Sequence, residues 1–228
     1  VSRRQSKPAL VRIGGRSAAL FSSATLAYIC RPLRVEKALE AIAAARQLLV
    51  TGSPDAVTLQ SVAGALNMAH GNIAHHFGSA ANLQTALADA LIADMVAAVR
   101  EGTNRLRTGA ITEADLVGLI FDRFERDGVG RLIGWLAAQG SDRLDTMYRH
   151  LAKVPAELGQ TPEGGGLTRD ALPKVVAIIV MAALSASLIG PGTLAALELP
   201  ENFSRERATE YLMRWRHSGS GAEHPIES

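Results

Sequence analysis

The stretch from Thr58 to Leu83 constrains the fold more than any other part of the chain. Thr58 is a favourable N-cap, and apolar residues follow it at the spacing of one helical face. Asn67 stands where the chain must turn sharply, and Asn is one of the few residues besides Gly that tolerates a left-handed backbone. The stretch therefore predicts a short helix, a tight turn and a second short helix. The apolar face of the first helix consists of Leu59, Val62, Ala63 and Leu66.

The second short helix divides into inner and outer residues. Met68 and Ile73 are expected to pack behind it, whereas its outward residues are polar or small. A small Ala63 facing a helix that starts three residues after Leu66 is typical of a helix-turn-helix, whose second helix enters the DNA major groove. The outward residues are His70, Gly71, Asn72 and His75.

The run GNIAHHFGSAANL, at residues 71–83, resembles the G-x-[LI]-Y-x-H-F-x-[SN]-K-x-x-L signature of TetR-type bacterial transcriptional regulators. The resemblance covers Val35–Leu91 and includes a preceding amphipathic helix with Gly52 just after its end. Beyond Leu91 the resemblance is only architectural. The matching positions are Gly71, Ile73, His76, Phe77, Ser79 and Leu83.

Two positions depart from the family signature. Ala74 stands where the family usually has Tyr, and Ala80 stands where it usually has Lys. In the family both usual residues hold DNA phosphates. Their absence therefore lowers the expected affinity for DNA without changing the expected fold.

Composition favours an all-α protein. Apolar residues make up 47% of the 228 residues and aromatic residues only 4%, and no long alternating β-branched run indicates a sheet. The single Cys30 excludes an internal disulfide framework and a cysteine-based zinc site. A reducing, cytoplasmic setting is the natural expectation.

Positive charge is concentrated at the start of the chain. Residues 1–34 contain seven basic residues and no acid, whereas residues 35–83 contain two basic and three acidic residues. DNA-binding domains are usually basic, because neutralisation of phosphates supplies most non-specific affinity. Three interpretations of residues 1–34 stay open: a disordered tail, a basic arm on the DNA backbone or minor groove, and a targeting segment.

Beyond Leu83 the chain is predicted to form further helices, separated mainly by glycines. Residues 159–166, GQTPEGGG, are expected to form a flexible loop, and residues 218–228 a frayed tail. The predicted helices are about Ala81–Arg107, Glu113–Arg126, Val129–Gln139, Asp142–Glu157, Thr168–Ile189 and Ser204–His217.

Val175–Leu197 contains no charged residue and is long enough to span a bilayer. The Gly-Pro-Gly sequence at residues 190–192 interrupts this run, and no positive cluster flanks it. A buried helix that ends at Ile189 is therefore favoured over a membrane span. The resemblance implies that the last two helices form a four-helix interface between two copies, through Leu172–Ile189 and Ser204–Arg216.

Motifs of enzymes and metal sites are missing from the sequence. It contains no GxSxG, HExxH, Walker loop or GxGxxG. His70, His75 and His76 are separated by five and one residues, whereas three or four would place two imidazoles on one helical face. We therefore expect neither catalysis nor a metal, and no cofactor.

Apolar residues at helical spacing in residues 116–136 could line a ligand cavity or could form an ordinary core. Met147 and Tyr148 are further candidates, and Tyr would supply a polar group in an apolar wall. Because few charges fall on these faces, any effector is expected to be a small, neutral, apolar molecule. The pocket candidates are Phe124, Leu132, Trp135, Leu136, Met147 and Tyr148.

These observations predict a two-part regulator: a basic extension at residues 1–34, a DNA-binding domain at 35–80, an effector-binding and dimerisation domain at 81–217, and a tail at 218–228. The resemblance indicates a repressor that a small molecule releases from double-stranded DNA. Thr58 and His76 are expected to contact phosphates. The alternative is a helical protein that has lost specific DNA binding and binds a small molecule or another protein. The expected contacts with base edges or backbone come from Gln60, His70, Gly71, Asn72 and His75.

Overall fold

A computed structural model describes residues 23–159 and 171–218, and within these ranges the protein is helical with no strand. The expected loop and tail, and residues 1–22 of the basic extension, lie almost wholly outside the described residues. The helices are α1 (Ser23–Thr51), α2 (Leu59–Ala65), α3 (His70–Phe77), α4 (Ala80–Arg107), α5 (Glu113–Glu125), α6 (Val129–Gln139), α7 (Asp145–Gly159), α8 (Ala171–Ala196) and α9 (Phe203–Ser218). Short 3-10 helices precede α2 and α7, at Pro54–Ala56 and Ser141–Leu144.

Helix α1 ends at Thr51, next to Gly52, as predicted, and it extends back to Ser23, the first described residue, which lies inside the basic extension. The helix therefore includes residues 23–34, which precede the predicted DNA-binding domain. Extending an existing helix needs no new nucleation. A segment whose apolar residues lack helical spacing can therefore be helical when the part of the helix that follows it is stabilised by burial. Ala41, Ala45 and Leu49 are fully buried and provide that stabilisation.

The connection from α2 to α3 confirms the local prediction. Thr58 caps α2: its Oγ1 accepts a hydrogen bond from the Ser61 amide at 3.0 Å, and the Ser61 hydroxyl accepts one from the Thr58 amide at 2.9 Å. Asn67 has a φ of 51°, in the left-handed region, and the Met68 amide then donates to the Ala63 carbonyl at 2.9 Å. A capped helix start and one left-handed residue thus set the turn.

Helix α4 packs against α1 and α3, and also against α5, α6 and α7. The buried amide of Gln84 donates to the carbonyls of Pro54 and Val57, both at 3.2 Å, and Arg46 of α1 forms an ion pair with Asp94. On α6, the Arg131 guanidinium donates to the Gly52 carbonyl at 2.9 Å. These polar contacts join the N-terminal helices (α1–α3) to the C-terminal helices (α4–α9).

Among the C-terminal helices, α5 packs against α8 and α9 and these two pack against each other. Helix α5 begins at a capping box in which Thr112 donates to Asp115, and these hydrogen bonds lower the pKa of the Asp115 carboxyl. Helix α6 follows Gly128, whose φ of 76° is left-handed. The bounds of α4, α5, α6 and α9 agree with the prediction to within one residue.

Helix α8 departs from the prediction at its C-terminal end. It continues through Pro191 to Ala196 instead of ending at Ile189, whereas the predicted start at Thr168 lies outside the described residues. A proline inside a helix removes one backbone donor, yet Gly190 and Leu194 are buried on either side of it. Burial of these residues stabilises the turns beyond the proline. Helix α7 begins at Asp145, three residues later than predicted, because Ser141–Leu144 forms the separate 3-10 helix.

Two helices, α4 and α8, are long and apolar enough by length and composition to cross a membrane, a condition that core helices of soluble proteins also meet. Helix α8 leaves several large apolar side chains on the surface of the single chain. These residues are Ile178, Met181, Leu188 and Ile189.

The close approach of α6 to α8 yields a first prediction. A Cβ on Gly130 would lie 1.9 Å from the Ser187 Oγ and 2.7 Å from the Ser187 Cβ, so Gly130→Ala should force the helices apart. Such overpacking typically costs about 1–3 kcal/mol, to be measured by urea unfolding. Gly118→Ala, which meets no atom within 4 Å, is the control and should stabilise the protein by about 0.5–1 kcal/mol. If both alanines behave alike, the two helices do not meet at Gly130.

Candidate nucleic-acid interface and cavity

Helix α3 turns a polar face to solvent. Its four predicted outward residues are all exposed, while Ile73 on the opposite face is fully buried. Gln60 of α2 is exposed as well, whereas Thr58 and His76 are half-buried. The exposed α3 residues are His70, Gly71, Asn72 and His75.

The two short helices differ at their N-termini. Helix α2 has its cap satisfied by Thr58, but α3 begins after Ala69, which offers no side-chain acceptor. The Asn72 amide is satisfied by the Ala69 carbonyl at 2.9 Å. The backbone N–H groups of α3 that precede Asn72 thus have no side-chain cap. A helix start of this kind attracts an anion.

The histidines at the end of α3 pack edge to face rather than converging on one point. The rings of His75 and His76 have centroids 6.0 Å apart, and the ring of His76 lies 6.5 Å from that of Phe77. Across the residues that the structure describes, no group of three or more His, Cys, Asp or Glu side chains is arranged to hold a metal ion.

The exit from α3 contains both residues that depart from the family signature. Ala74 and Ala80 are half-buried, and Ala80 is the first residue of α4. Between them Gly78 has a φ of 74°, and Ser79 caps α4 by accepting a hydrogen bond from the Asn82 amide at 3.1 Å. The turn is therefore well formed without a tyrosine or a lysine.

A cavity of about 420 Å³ lies among the C-terminal helices. Its walls are mainly aliphatic and come from α4, α5, α6, α7, α8 and α9. The volume is within the range of small-molecule pockets, which is roughly 300–1,000 Å³. Among the described lining residues, three side chains bring polar groups to it: Thr103 and Arg107 of α4, and Arg216 of α9.

Only part of the predicted pocket lines this cavity. Phe124 and Met147 do so. Leu132 and Leu136 are instead fully buried in the core, and the Tyr148 side chain is half-exposed at the surface. Trp135 is half-buried and its indole Nε1 has no hydrogen-bond partner. Periodicity identified the buried faces but could not separate a cavity wall from packed core.

The prediction missed both arginines of the cavity. One sequence signal for Arg107 was present: it follows Thr103 by four residues and Val99 by eight, which places it on the same face of α4. Arg216 lies near the end of the last helix, and only the tertiary packing of α9 brings it to the cavity.

No protein-family model matches the chain, and no curated protein matches it.

The Thr58 cap yields a second prediction. Thr58→Ala removes the side-chain acceptor for the Ser61 amide and should lower the free energy of unfolding by about 1 kcal/mol. Thr58→Ser keeps the hydroxyl and should stay close to the wild type. Chemical unfolding of the three proteins measures the difference, and equal loss in both variants would show that the methyl group, not the cap, stabilises this turn.

Proposed function

We propose that the protein is a TetR-type DNA-binding transcriptional regulator, most simply a repressor that a small molecule releases. The N-terminal helices form the DNA-binding domain, with α2 and α3 as a helix-turn-helix, and the C-terminal helices form a dimerisation and effector-binding bundle. The observation that supports this proposal best is the α2–α3 unit. Its left-handed turn at Asn67 and buried Ile73 present a polar α3 face to solvent.

The side chains of α3 have the chemistry that base edges require. The side-chain carboxamide of Asn72 can both donate and accept hydrogen bonds, as adenine recognition needs. The imidazoles of His70 and His75 can also do both. Gly71 is exposed, and a Cβ there would meet no atom within 4 Å, so the backbone can approach DNA closely. Three further residues would contact DNA beside this face. Gln60 would contact base edges or the DNA backbone, and Thr58 and His76 would contact phosphates.

The expected affinity is low for this class of protein. The N-terminal helices are nearly neutral, and Ala74 and Ala80 have no side-chain donor for a phosphate. The uncapped start of α3 and the basic residues of the extension are the remaining sources of phosphate contacts. These features also favour the second candidate, a helical protein of this type that has lost specific DNA binding and binds a small molecule or another protein.

Dimerisation explains the exposed apolar surface of α8 and α9. Met181 and Ile189 are 56% and 65% exposed in the single chain, and Met213 of α9 is 38% exposed. Large apolar side chains exposed on two helices that pack against each other favour an interface there. A second copy on a two-fold axis would place two α3 helices at half-sites roughly 34–36 Å apart, or a multiple of that distance.

Helix α4 provides the connection from cavity to DNA-binding domain. Gln84, near its start, is hydrogen-bonded to the segment before α2, and Arg107, its last residue, lines the cavity. A ligand that binds better to a conformer in which the two DNA-binding domains are wrongly spaced would release the DNA. The shared helix gives the two sites a common rigid element.

The function is tested by selection from a randomised duplex library with the full chain, followed by a salt titration of binding. A regulator should enrich a palindromic sequence, and its affinity should fall steeply as salt is added. Recovery of an unenriched library, with no salt-sensitive binding, would overturn the regulator and favour the second candidate.

Residue 80 yields the third prediction. Ala80→Lys restores a phosphate donor at the start of α4 and should raise affinity for specific and random duplexes by a similar factor, because phosphate contacts carry no direct sequence information. The slope of log affinity against log salt should steepen by about one. Ala97→Lys, at an exposed position further along α4, adds the same charge and should have a smaller effect. If Ala80→Lys changes neither affinity, residue 80 does not face DNA.

The exposed face of α8 yields the fourth prediction. The full chain should sediment as a dimer at micromolar concentration without detergent. Met181→Arg or Ile189→Arg should shift it to monomer, because the dimer would then bury an unpaired charge. Leu39→Arg is the matched control, because Leu39 of α1 is also 65% exposed and should leave the dimer intact. A monomeric wild type, or one that stays in solution only with detergent, would contradict an interface between two copies.

A further inference from the structure

The polar groups of the cavity are not arranged for a neutral ligand. Among the described residues that line it, the charged ones are Arg107 and Arg216, and no acid accompanies them on the wall. Arginine remains protonated in proteins, so both bring a positive charge to an aliphatic enclosure. A charge in such surroundings is costly unless it is paired.

The two arginines differ in how far they are compensated. Arg216 of α9 forms an ion pair with Glu113 of α5. Arg107 donates through Nη2 to the Asn104 side-chain oxygen at 2.5 Å, a neutral acceptor, and its buried Nε has no hydrogen-bond partner. With the pair counted as neutral, the described residues of the cavity wall bring one uncompensated positive charge, that of Arg107.

A role in the helix end does not account for Arg107. A basic residue in the last turn of a helix is favoured by the helix dipole, but Arg105 already occupies that turn with its side chain in solvent. The favourable interaction with the helix dipole is available to a side chain in solvent, so it does not explain why the Nε of Arg107 is buried. An unsatisfied buried donor at a pocket wall is instead what a recognition site for an anion presents before its ligand binds.

We propose that the cavity binds a monoanionic amphipathic molecule, a carboxylic acid with an apolar chain or ring, whose carboxylate accepts hydrogen bonds from Arg107. Its apolar part lies among the aliphatic side chains of α4, α7 and α8, such as Val99, Val154 and Ile179. One net positive charge selects one negative charge, and an Arg guanidinium matches the geometry of a carboxylate. The inference replaces the neutral effector expected from the sequence. It rests on the proposed function only in that such an acid would then be the effector.

The test is calorimetric titration of the full chain with straight-chain carboxylates below their micellar concentration. Dodecanoate should bind once per chain, dodecanol at least tenfold more weakly, and acetate not measurably, because head and tail are both needed. Equal binding of dodecanoate and dodecanol, or no binding across octanoate, dodecanoate and hexadecanoate, would overturn the proposal.

Arg107→Met separates recognition from structure. The variant should lose at least tenfold in affinity for dodecanoate and little for dodecanol. Its melting temperature without ligand should equal or exceed that of the wild type, because a buried unsatisfied donor has been removed. Arg105→Met is the matched control and should change neither affinity. An Arg107→Met variant that is destabilised yet binds dodecanoate normally would show that the side chain is structural.

The DNA measurement keeps the two proposals distinct. Dodecanoate binding that depends on Arg107, in a protein that binds no DNA, would overturn the proposed function and leave the ligand class standing. Salt-sensitive, sequence-specific DNA binding by a protein that binds none of the three carboxylates would overturn the ligand class and leave the proposed function standing. If both hold, dodecanoate should weaken DNA binding by the wild type and not by Arg107→Met.

Discussion

Burial of the apolar residues of α4 is the interaction on which the rest of the structure depends. Leu83, Leu87 and Leu91 belong to the same continuous core as Leu49 of α1 and Phe121 of α5. Because one helix supplies core residues to both sets of helices, neither set can reposition without moving α4 or opening that core. The hydrogen bonds from Gln84 to the segment before α2 fix the orientation of α4 relative to that segment, because burial of apolar surface alone is non-directional.

Three places among the described residues combine unsatisfied chemistry with a proposed partner. The first is the uncapped start of α3 with its exposed polar face, the second is the buried Nε of Arg107, and the third is the apolar surface of α8 around Ile189. A sequence selected for stability alone would satisfy each of them, and departures of this kind are expected at functional sites. They correspond to the three partners proposed: duplex DNA, an amphipathic acid and a second copy of the chain.

Local signals predicted the helices well where the determining contacts are close in sequence. The Thr58 cap, the left-handed Asn67 and the glycine before α6 each act over a few residues, so the sequence shows them directly. The features that the sequence did not predict depend on distant contacts. The extension of α1 back to Ser23 follows from stabilisation further along the helix, and the continuation of α8 through Pro191 follows from the burial of Leu194.

The sequence by itself determined the all-α class, the α2–α3 unit and the polar face of α3, because helical periodicity, capping and turn chemistry are properties of neighbouring residues. Only the tertiary structure decided which apolar faces enclose a cavity and which pack solidly: Phe124 lines it, whereas Leu132 lies in the closed core. It also brought Arg107 and Arg216, which lie on helices at opposite ends of the C-terminal half, to one enclosure. A cavity is a gap in packing among several helices, and no single helix encodes it.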